Sequence, residues 1–348
     1  MKIAVDAMGG DYAPGAIVEG AVQAAKELTD SRVVLVGMED VVKAELNRLG
    51  ASGLPIDVVH ASEAVGMDES PAVAFRKKKD SSIMVGVDLL KNGQADAFVS
   101  AGNTGAVMAA SLLKLRTIPG ISRAPIAVML PTSKGWSVLL DAGANVDCKP
   151  ANLFEFGIMG SIYASFILGK ENPVVATLSI GEEEGKGNDV VREAAAMLKK
   201  SASLNFTGNI EAKEVYRGNA DVIVCDGFVG NITLKVSESL AEMMEKALRG
   251  VFMTNWRSKL AYLLVKPYFE GFKKRVDHSE YGGAPLLGVN GTVIISHGSS
   301  KPKSIKNAIF QAERCAKMDI IGKIRQSMEK NAAIEGEFER SPAASGAE

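Results

Sequence analysis

The chain is poor in the residues that build covalent or metal frameworks. It has only three cysteines, Cys148, Cys225 and Cys315, an odd number with no paired spacing. That excludes a disulfide scaffold or a cysteine-rich zinc site and predicts a reducing compartment. The 3 histidines, His60, His278 and His297, share no metal-ligand spacing with one another or with the cysteines, so no metal is expected. Charge of one sign is also missing: 40 Lys and Arg against 41 Asp and Glu leave a net charge of -1, which excludes a surface built wholly for nucleic acid. The N-terminus carries Asp6 where a secretory signal needs an apolar run. The longest apolar stretch, Ala151–Gly169, is interrupted by Glu155 and falls just short of the roughly 20 residues of a membrane span. Its small residues Gly157, Ser161, Ser165 and Gly169 recur every fourth position, the pattern of a buried helix packed closely on a neighbour, such as a subunit contact. A cytoplasmic protein is expected.

What the chain does have is apolar mass, 47% against 23% charged, and 35 glycines, enough for one large or two medium domains with many tight turns. Short β-branched runs recur at Ile3–Val5, Val33–Val36, Asp57–Val59, Ala97–Val99, Ile126–Leu130, Val138–Leu140, Val174–Leu178, Val222–Val224 and Val293–Ile295. Several are continuous in Val, Ile and Leu, as strands buried on both faces require. Helical stretches such as Ala16–Leu28, Val41–Leu49 and Val190–Ser201 lie between them. The alternation predicts an α/β protein with a mainly parallel sheet. No repeat or linker divides residues 1–330, which are expected to form a single domain, and 331–348, rich in Ala, Glu, Ser and Gly, are expected to be a frayed, flexible tail.

The loops after the strands carry the functional signal. They are Asp6-Ala-Met-Gly-Gly-Asp11, Ser100-Ala-Gly-Asn-Thr-Gly-Ala106, Asp141-Ala-Gly-Ala-Asn145, Ser179-Ile-Gly-Glu-Glu-Glu-Gly-Lys-Gly-Asn188, Cys225-Asp-Gly-Phe-Val-Gly-Asn231 and Ser296-His-Gly-Ser-Ser300. Ligands of open α/β sheets bind at the carboxyl ends of strands, where helix N-termini offer free N–H groups to anions. Six such loops favour a site for a phosphate or nucleotide-sized anion. Other chemistries lose ground. There is no Gly-x-Gly-x-x-Gly, no Gly-x-Ser-x-Gly and no His-Glu-x-x-His. The Gly181–Gly187 loop imitates a P-loop, but it has three residues between its first two glycines instead of four, and Gly187 stands where Ser or Thr would hold magnesium.

Together with Gly282-Gly-Ala-Pro-Leu-Leu-Gly288, these motifs closely resemble, in order across about residues 1–325, those of the bacterial phosphate acyltransferases known as PlsX. The resemblance implies a three-layer α/β/α Rossmann-like body of the phosphotransacetylase and isocitrate dehydrogenase kind, usually a homodimer. It implies transfer of a long-chain acyl group from acyl carrier protein to inorganic phosphate, giving an acyl phosphate for phospholipid synthesis, with no cofactor. It also implies a functional link to a membrane glycerol-3-phosphate acyltransferase. A short-chain phosphotransacetylase using acetyl-CoA and a non-enzymatic, membrane-associated phosphate binder stand as alternatives.

Lys186, between Gly185 and Gly187, is the first candidate cation of such a site. Asn231 and Asn188 are either amide donors to phosphate or oxyanion, or helix caps. His297 is either a proton shuttle or a structural hydrogen-bonder. Gly9, Gly10, Gly102, Asn103, Thr104, Gly105, Asn145 and Gly230 complete the substrate loops, and Asp6, Asp141 and Asp226 end strands, where the last two either orient Lys186 or cap. Cys225 reads as strand core. Arg76 and Lys79 are either a solvated face or contacts to the acidic carrier protein or its phosphopantetheine phosphate. Within Arg249–Val276, seven basic residues and the single acid Glu270 are interleaved with Trp256, Leu260, Leu263, Leu264 and other apolar groups. This is the composition of a segment lying in an anionic membrane interface. It predicts a protruding amphipathic helical hairpin at about 236–276, broken by Pro267, that lies on the inner face of the cell membrane or packs on a dimer partner.

Overall fold

A computed structural model describes residues 1–276 and 282–339. In chain order the elements begin β1 (Lys2–Asp6), α1 (Gly15–Ala25), β2 (Arg32–Gly37), α2 (Glu39–Arg48), β3 (Ile56–His60), α3 (Pro71–Lys77), α4 (Ser82–Lys91), β4 (Ala97–Ser100) and α5 (Thr104–Lys114). Next come β5 (Ala127–Thr132), β6 (Gly135–Leu140), α6 (Pro150–Ile167), β7 (Val174–Ser179), α7 (Asp189–Lys200), β8 (Asn205–Glu211) and β9 (Val222–Val224). Then follow α8 (Gly227–Phe252), α9 (Trp256–Val276), β10 (Ala284–Pro285), β11 (Thr292–Ile295), α10 (Pro302–Lys317) and α11 (Ile320–Glu339).

The strands form two sheets, with orders β10-β11-β4-β1-β2-β3 and β5-β6-β9-β7-β8. Alternate residues of one strand enter different cores. Ile3 and Val5 join a large core under α1, α6 and α10, and Ala4 joins a second one with residues of α4 and α5. In the other sheet Val138 and Leu140 face the large core and Leu139 faces a third. Burial on both faces explains the unbroken Val/Ile/Leu runs and gives the three layers.

The expected single sheet is replaced by two parallel blocks with antiparallel strands between them. β10 is antiparallel to β11, β5 is antiparallel to β6, and Ile126 bridges Leu286 in the antiparallel sense. The predicted strand at Ile126–Leu130 therefore turns through Ser133 and Lys134 into β6 instead of leading into a helix. Of the expected small-residue stripe, Gly157 and Ser161 are buried on α6, Ser165 is half-buried, and Gly169 is exposed beyond the end of the helix. A methyl on Gly157 would lie 2.5 Å from Leu198, and one on Gly160 2.5 Å from Val222, so these glycines let α6 approach α7 and β9.

Two helical expectations are corrected. α9 runs through Pro267 as one helix, Trp256–Val276, since proline's fixed φ is a helical one, although the lost N–H and the ring's clash with the carbonyl four residues back cost the helix stability. The break falls at Met253–Asn255, where the Phe252 and Tyr262 rings lie 5.4 Å apart across the turn. At the other end α11 extends to Glu339, so 331–339 are helical where composition predicts fraying. Asn331 is buried there and accepts the Ser201 hydroxyl at 2.7 Å. The rest of the tail, 340–348, lies outside the described residues.

Candidate active site

The first sheet brings three of the six loops together at adjacent strand ends, those after β1, β4 and β11. Asp6, fully buried, accepts the Ser100 hydroxyl at 2.7 Å and the Met8 N–H at 3.1 Å. Burial pushes its carboxyl above the usual range against those bonds. A methyl on Gly9 would overlap the Asp6 carboxylate, and one on Gly10 (φ 109°) would lie 3.0 Å from the Gly298 carbonyl, so both must be glycine. Gly102 lies against Gly9 and Gly105 against Pro71. Asn103 caps α5 by accepting the Ala106 N–H at 3.0 Å. Its amide donates to the Met67 and Glu69 carbonyls, each at 2.9 Å, so it clamps a loop and has little left for a ligand. Thr104 is exposed at the first turn of α5. His297 is exposed. Its Nδ1 accepts the Ser299 N–H at 3.2 Å, which leaves Nε2 facing outward from the pair.

The second sheet gathers the loops after β6, β9 and β7. Asp141 is buried and accepts from Ile126 N (2.9 Å), Ala144 N (3.0 Å), Asn145 N (2.7 Å) and Asn145 Nδ2 (2.9 Å). Burial again pushes the carboxyl up. Asn145 gives its other amide bond to the Ala124 carbonyl at 3.0 Å. Asp226 caps α8 by accepting the Val229 N–H at 2.7 Å. Asp226 therefore takes the capping role, Asp141 ties its own loop together without capping a helix, and neither pairs with Lys186 among the described residues. Gly230 lies so close to the Asp141 carbonyl that a methyl would overlap it, which seats α8 on the Asp141 loop. Asn231 follows, exposed, beside Gly143, its side chain with no hydrogen bond to a described residue.

Lys186 is exposed in the loop after β7, and its stem lies on Gly181, where a methyl would be 2.7 Å from Cγ. Two of the loop's three acids are occupied elsewhere: Glu184 pairs with Lys199, and Glu182 with Lys213 at 3.5 Å. No ion pair among the described residues holds Lys186. Gly185 has open space around it, and Gly187 (φ 101°) gives the left-handed turn. Asn188 caps α7, its Oδ1 accepting the Val191 N–H at 2.9 Å, which leaves its amide N–H groups free.

Sequence reasoning missed two residues here. Asn209 on β8 donates to the Glu183 carbonyl at 2.9 Å, lies 3.5 Å from the Lys186 carbonyl, and is itself held by the Thr177 hydroxyl at 2.7 Å. It sits on a strand without a β-branched run, so no pattern marked it. The Ser179 hydroxyl is buried with no hydrogen-bond partner among the described residues, and a methyl on Gly187 would lie 2.9 Å from it.

No hydrogen bond or ion pair among the described residues joins the two loop groups. Arg76 and Lys79 are exposed and have no ion pair among the described residues, whereas Lys78 between them pairs with Glu69. Burial keeps both nearby thiols protonated: Cys148 is pushed up to about 12 and Cys225 well above its ordinary value, so neither is a nucleophile. No three-residue cluster able to hold a metal occurs among the described residues.

Two parallel blocks with glycine-rich loops at their strand ends define a fold class that solved structures share. The EutD phosphotransacetylase from Staphylococcus aureus aligns with a TM-score of 0.61 at 19% identity, covering 91% of this chain and 94% of that one. A phosphotransacetylase from Streptococcus pyogenes gives 0.62 at 22%, with the same coverage. In sequence, the model of a family described as "Fatty acid synthesis protein" matches residues 1–323. The phosphate acyltransferase of Pelotomaculum thermopropionicum is 52% identical over 329 residues, 94% of this chain and 95% of its own. That of Syntrophotalea carbinolica is 54% identical over 310 residues, 89% of each. The chain belongs to the phosphate acyltransferase family and is an acyl-transferring enzyme, which sets aside the non-enzymatic binder.

Proposed function

We propose that the enzyme moves a long-chain fatty acyl group from acyl carrier protein to inorganic phosphate, giving an acyl phosphate for phospholipid synthesis. The observation that carries this reading is Lys186, an exposed cation with no ion pair among the described residues, in the loop of a strand adjacent to the one that leads into Asn231. A thioester is already activated, so a phosphate oxygen attacks its carbonyl carbon directly. The C–O bond forms, the tetrahedral oxyanion collapses, the C–S bond breaks and the thiolate leaves. A thiolate of pKa about 8.5 leaves without a strong acid, and His297 Nε2 supplies a proton where one is needed. Lys186 balances the phosphate charge, while the free amides of Asn231 and Asn188 receive the oxyanion or a phosphate oxygen. The N–H groups at the start of α5, Asn103 to Gly105, add donors to the anion, whereas the Gly102 N–H is held by the Ser100 hydroxyl at 3.0 Å and the Gly9 N–H by the Asp6 carboxylate.

Arg76 and Lys79, exposed and without an ion pair among the described residues, suit an acidic carrier protein. Trp256, Leu260, Leu263 and Leu264 are 70%, 54%, 66% and 73% exposed, which supports peripheral membrane contact through α9. No described helix is long and apolar enough to cross a membrane. Along α8 the exposed Val229, Ile232, Val236, Leu240 and Met243 form one stripe, which suits a second copy of the chain in a homodimer. An acyl phosphate released at the bilayer would reach a membrane acyltransferase such as the glycerol-3-phosphate enzyme.

The test is acyl-phosphate formation with either long-chain acyl carrier protein or acetyl-CoA as donor. Turnover with the first is expected. Turnover with acetyl-CoA alone would replace this reading by that of a short-chain phosphotransacetylase, which the shared fold also accommodates.

A further inference from the structure

A basic recess lies at the far end of α5 from the candidate active site. Lys91, Leu113, Lys114, Leu115, Arg116 and Asn290 line a cavity of about 420 Å³, within the size range of small-ligand sites. α5 has 11 residues, which puts the recess roughly 16 Å along the helix from Thr104.

Three lining residues are cations and none is an acid. Lys114 is engaged by Asp88 at 2.5 Å and by the Met84 carbonyl at 3.2 Å. Lys91 and Arg116 are exposed and have no ion pair among the described residues. Arg325 stands beside them, donating to Asn290 Oδ1 at 3.1 Å.

Basic residues at helix C-termini commonly serve only to offset the dipole. Here that task is largely done by other groups. The Asn290 amide donates to the Leu115 and Thr117 carbonyls at the end of α5, and the N–H groups of Asn92, Gly93 and Gln94 cover carbonyls at the end of α4. Four cations then face one carboxylate and two helix ends of about half a negative charge each, which leaves about two positive charges. That is the charge of a phosphate dianion. Arg116 is also held at φ 61°, a left-handed conformation that suits glycine better than arginine, by the Asn290 N–H on its carbonyl at 3.0 Å.

We propose that this recess binds a phosphate group, carried by a small molecule or a lipid headgroup, at a site separate from that of acyl transfer. Lys91 and Arg116 are the primary contacts and Lys114 and Arg325 the outer charges. The proposal stands independently of the acyl donor proposed above.

The test uses the full chain and the double variant Lys91→Ala, Arg116→Gly, in which glycine accepts the positive φ and the fold is undisturbed. Calorimetric titration with inorganic phosphate and flotation on phosphatidic acid vesicles, with phosphatidylcholine vesicles as blank, separate the two sources. Loss in the variant of one of two phosphate equivalents per chain identifies a free phosphate. A tenfold or greater loss of phosphatidic acid binding, with phosphate binding intact, identifies a headgroup. Phosphate stoichiometry and vesicle binding both unchanged in the variant, at equal thermal midpoint, would overturn the proposal.

Discussion

At the residue scale, each sheet has a buried aspartate at the end of a central strand, Asp6 on β1 and Asp141 just beyond β6, that knits the loop following it. Both carboxyls are pushed above their ordinary value of 3.8 by burial. A raised native value means that the folded chain keeps a proton the unfolded chain has lost. The stability from such a group is present below 3.8 and falls as pH rises through the native value. Compared with Asp141→Asn, which does not titrate, the wild type is therefore expected to lose relative stability as pH climbs through that window. Urea midpoints at a series of pH values check this, and a difference of the opposite slope contradicts it. Asn209 is the other residue with a single task. Asn209→Ala removes the bond that fixes the Lys186 loop, worth about 1 kcal/mol. It is expected to raise the KM for phosphate severalfold while leaving the KM for the acyl donor unchanged, which steady-state kinetics with each substrate varied in turn would reveal.

At the scale of elements, α8 is seated by Gly230 on the Asp141 carbonyl. Gly230→Ala forces backbone against backbone and is expected to cost about 1–3 kcal/mol in thermal unfolding and most of the activity, because Asn231 moves with the helix. Much of this was legible beforehand. All nine β-branched runs are strands: burial on both faces leaves an unbroken apolar signature in the central ones, and the edge strands β3 and β5, only partly buried, keep the β-branched character. The six loops could be read because close backbone approach and left-handed φ demand glycine, as at Gly9, Gly10 and Gly187. β8 was not legible, because Asn-Phe-Thr-Gly-Asn-Ile-Glu neither alternates nor runs apolar, and Asn209 was lost with it. Nor does the sequence separate an asparagine that clamps, such as Asn103, from one left free, such as Asn231. That distinction depends on which carbonyls the fold brings near.

At the scale of the whole molecule, the reversal of strand direction at β5 and β10 divides the loops into two groups of three, which no sequence pattern foretold. One group is framed by Asp6 and the other by Asp141, and Lys186 belongs to the second. The exposed face of α9 adds an outward function. Replacing Leu260, Leu263 and Leu264 with Glu in the Lys91→Ala, Arg116→Gly background, which also removes the second basic site, is expected to abolish flotation on anionic liposomes while leaving acyl transfer in detergent intact, and retained flotation contradicts the membrane reading.

The central claim is that Lys186 binds the phosphate that attacks the thioester, and its most direct test is acyl-phosphate formation by Lys186→Ala with phosphate varied. Loss of one charge-assisted contact in the transition state, about 2–4 kcal/mol, predicts a fall in kcat/KM for phosphate of roughly 30- to 1000-fold, with the fold retained by circular dichroism. A variant that keeps wild-type kcat/KM for phosphate would contradict the account and move the anion site to the other loops.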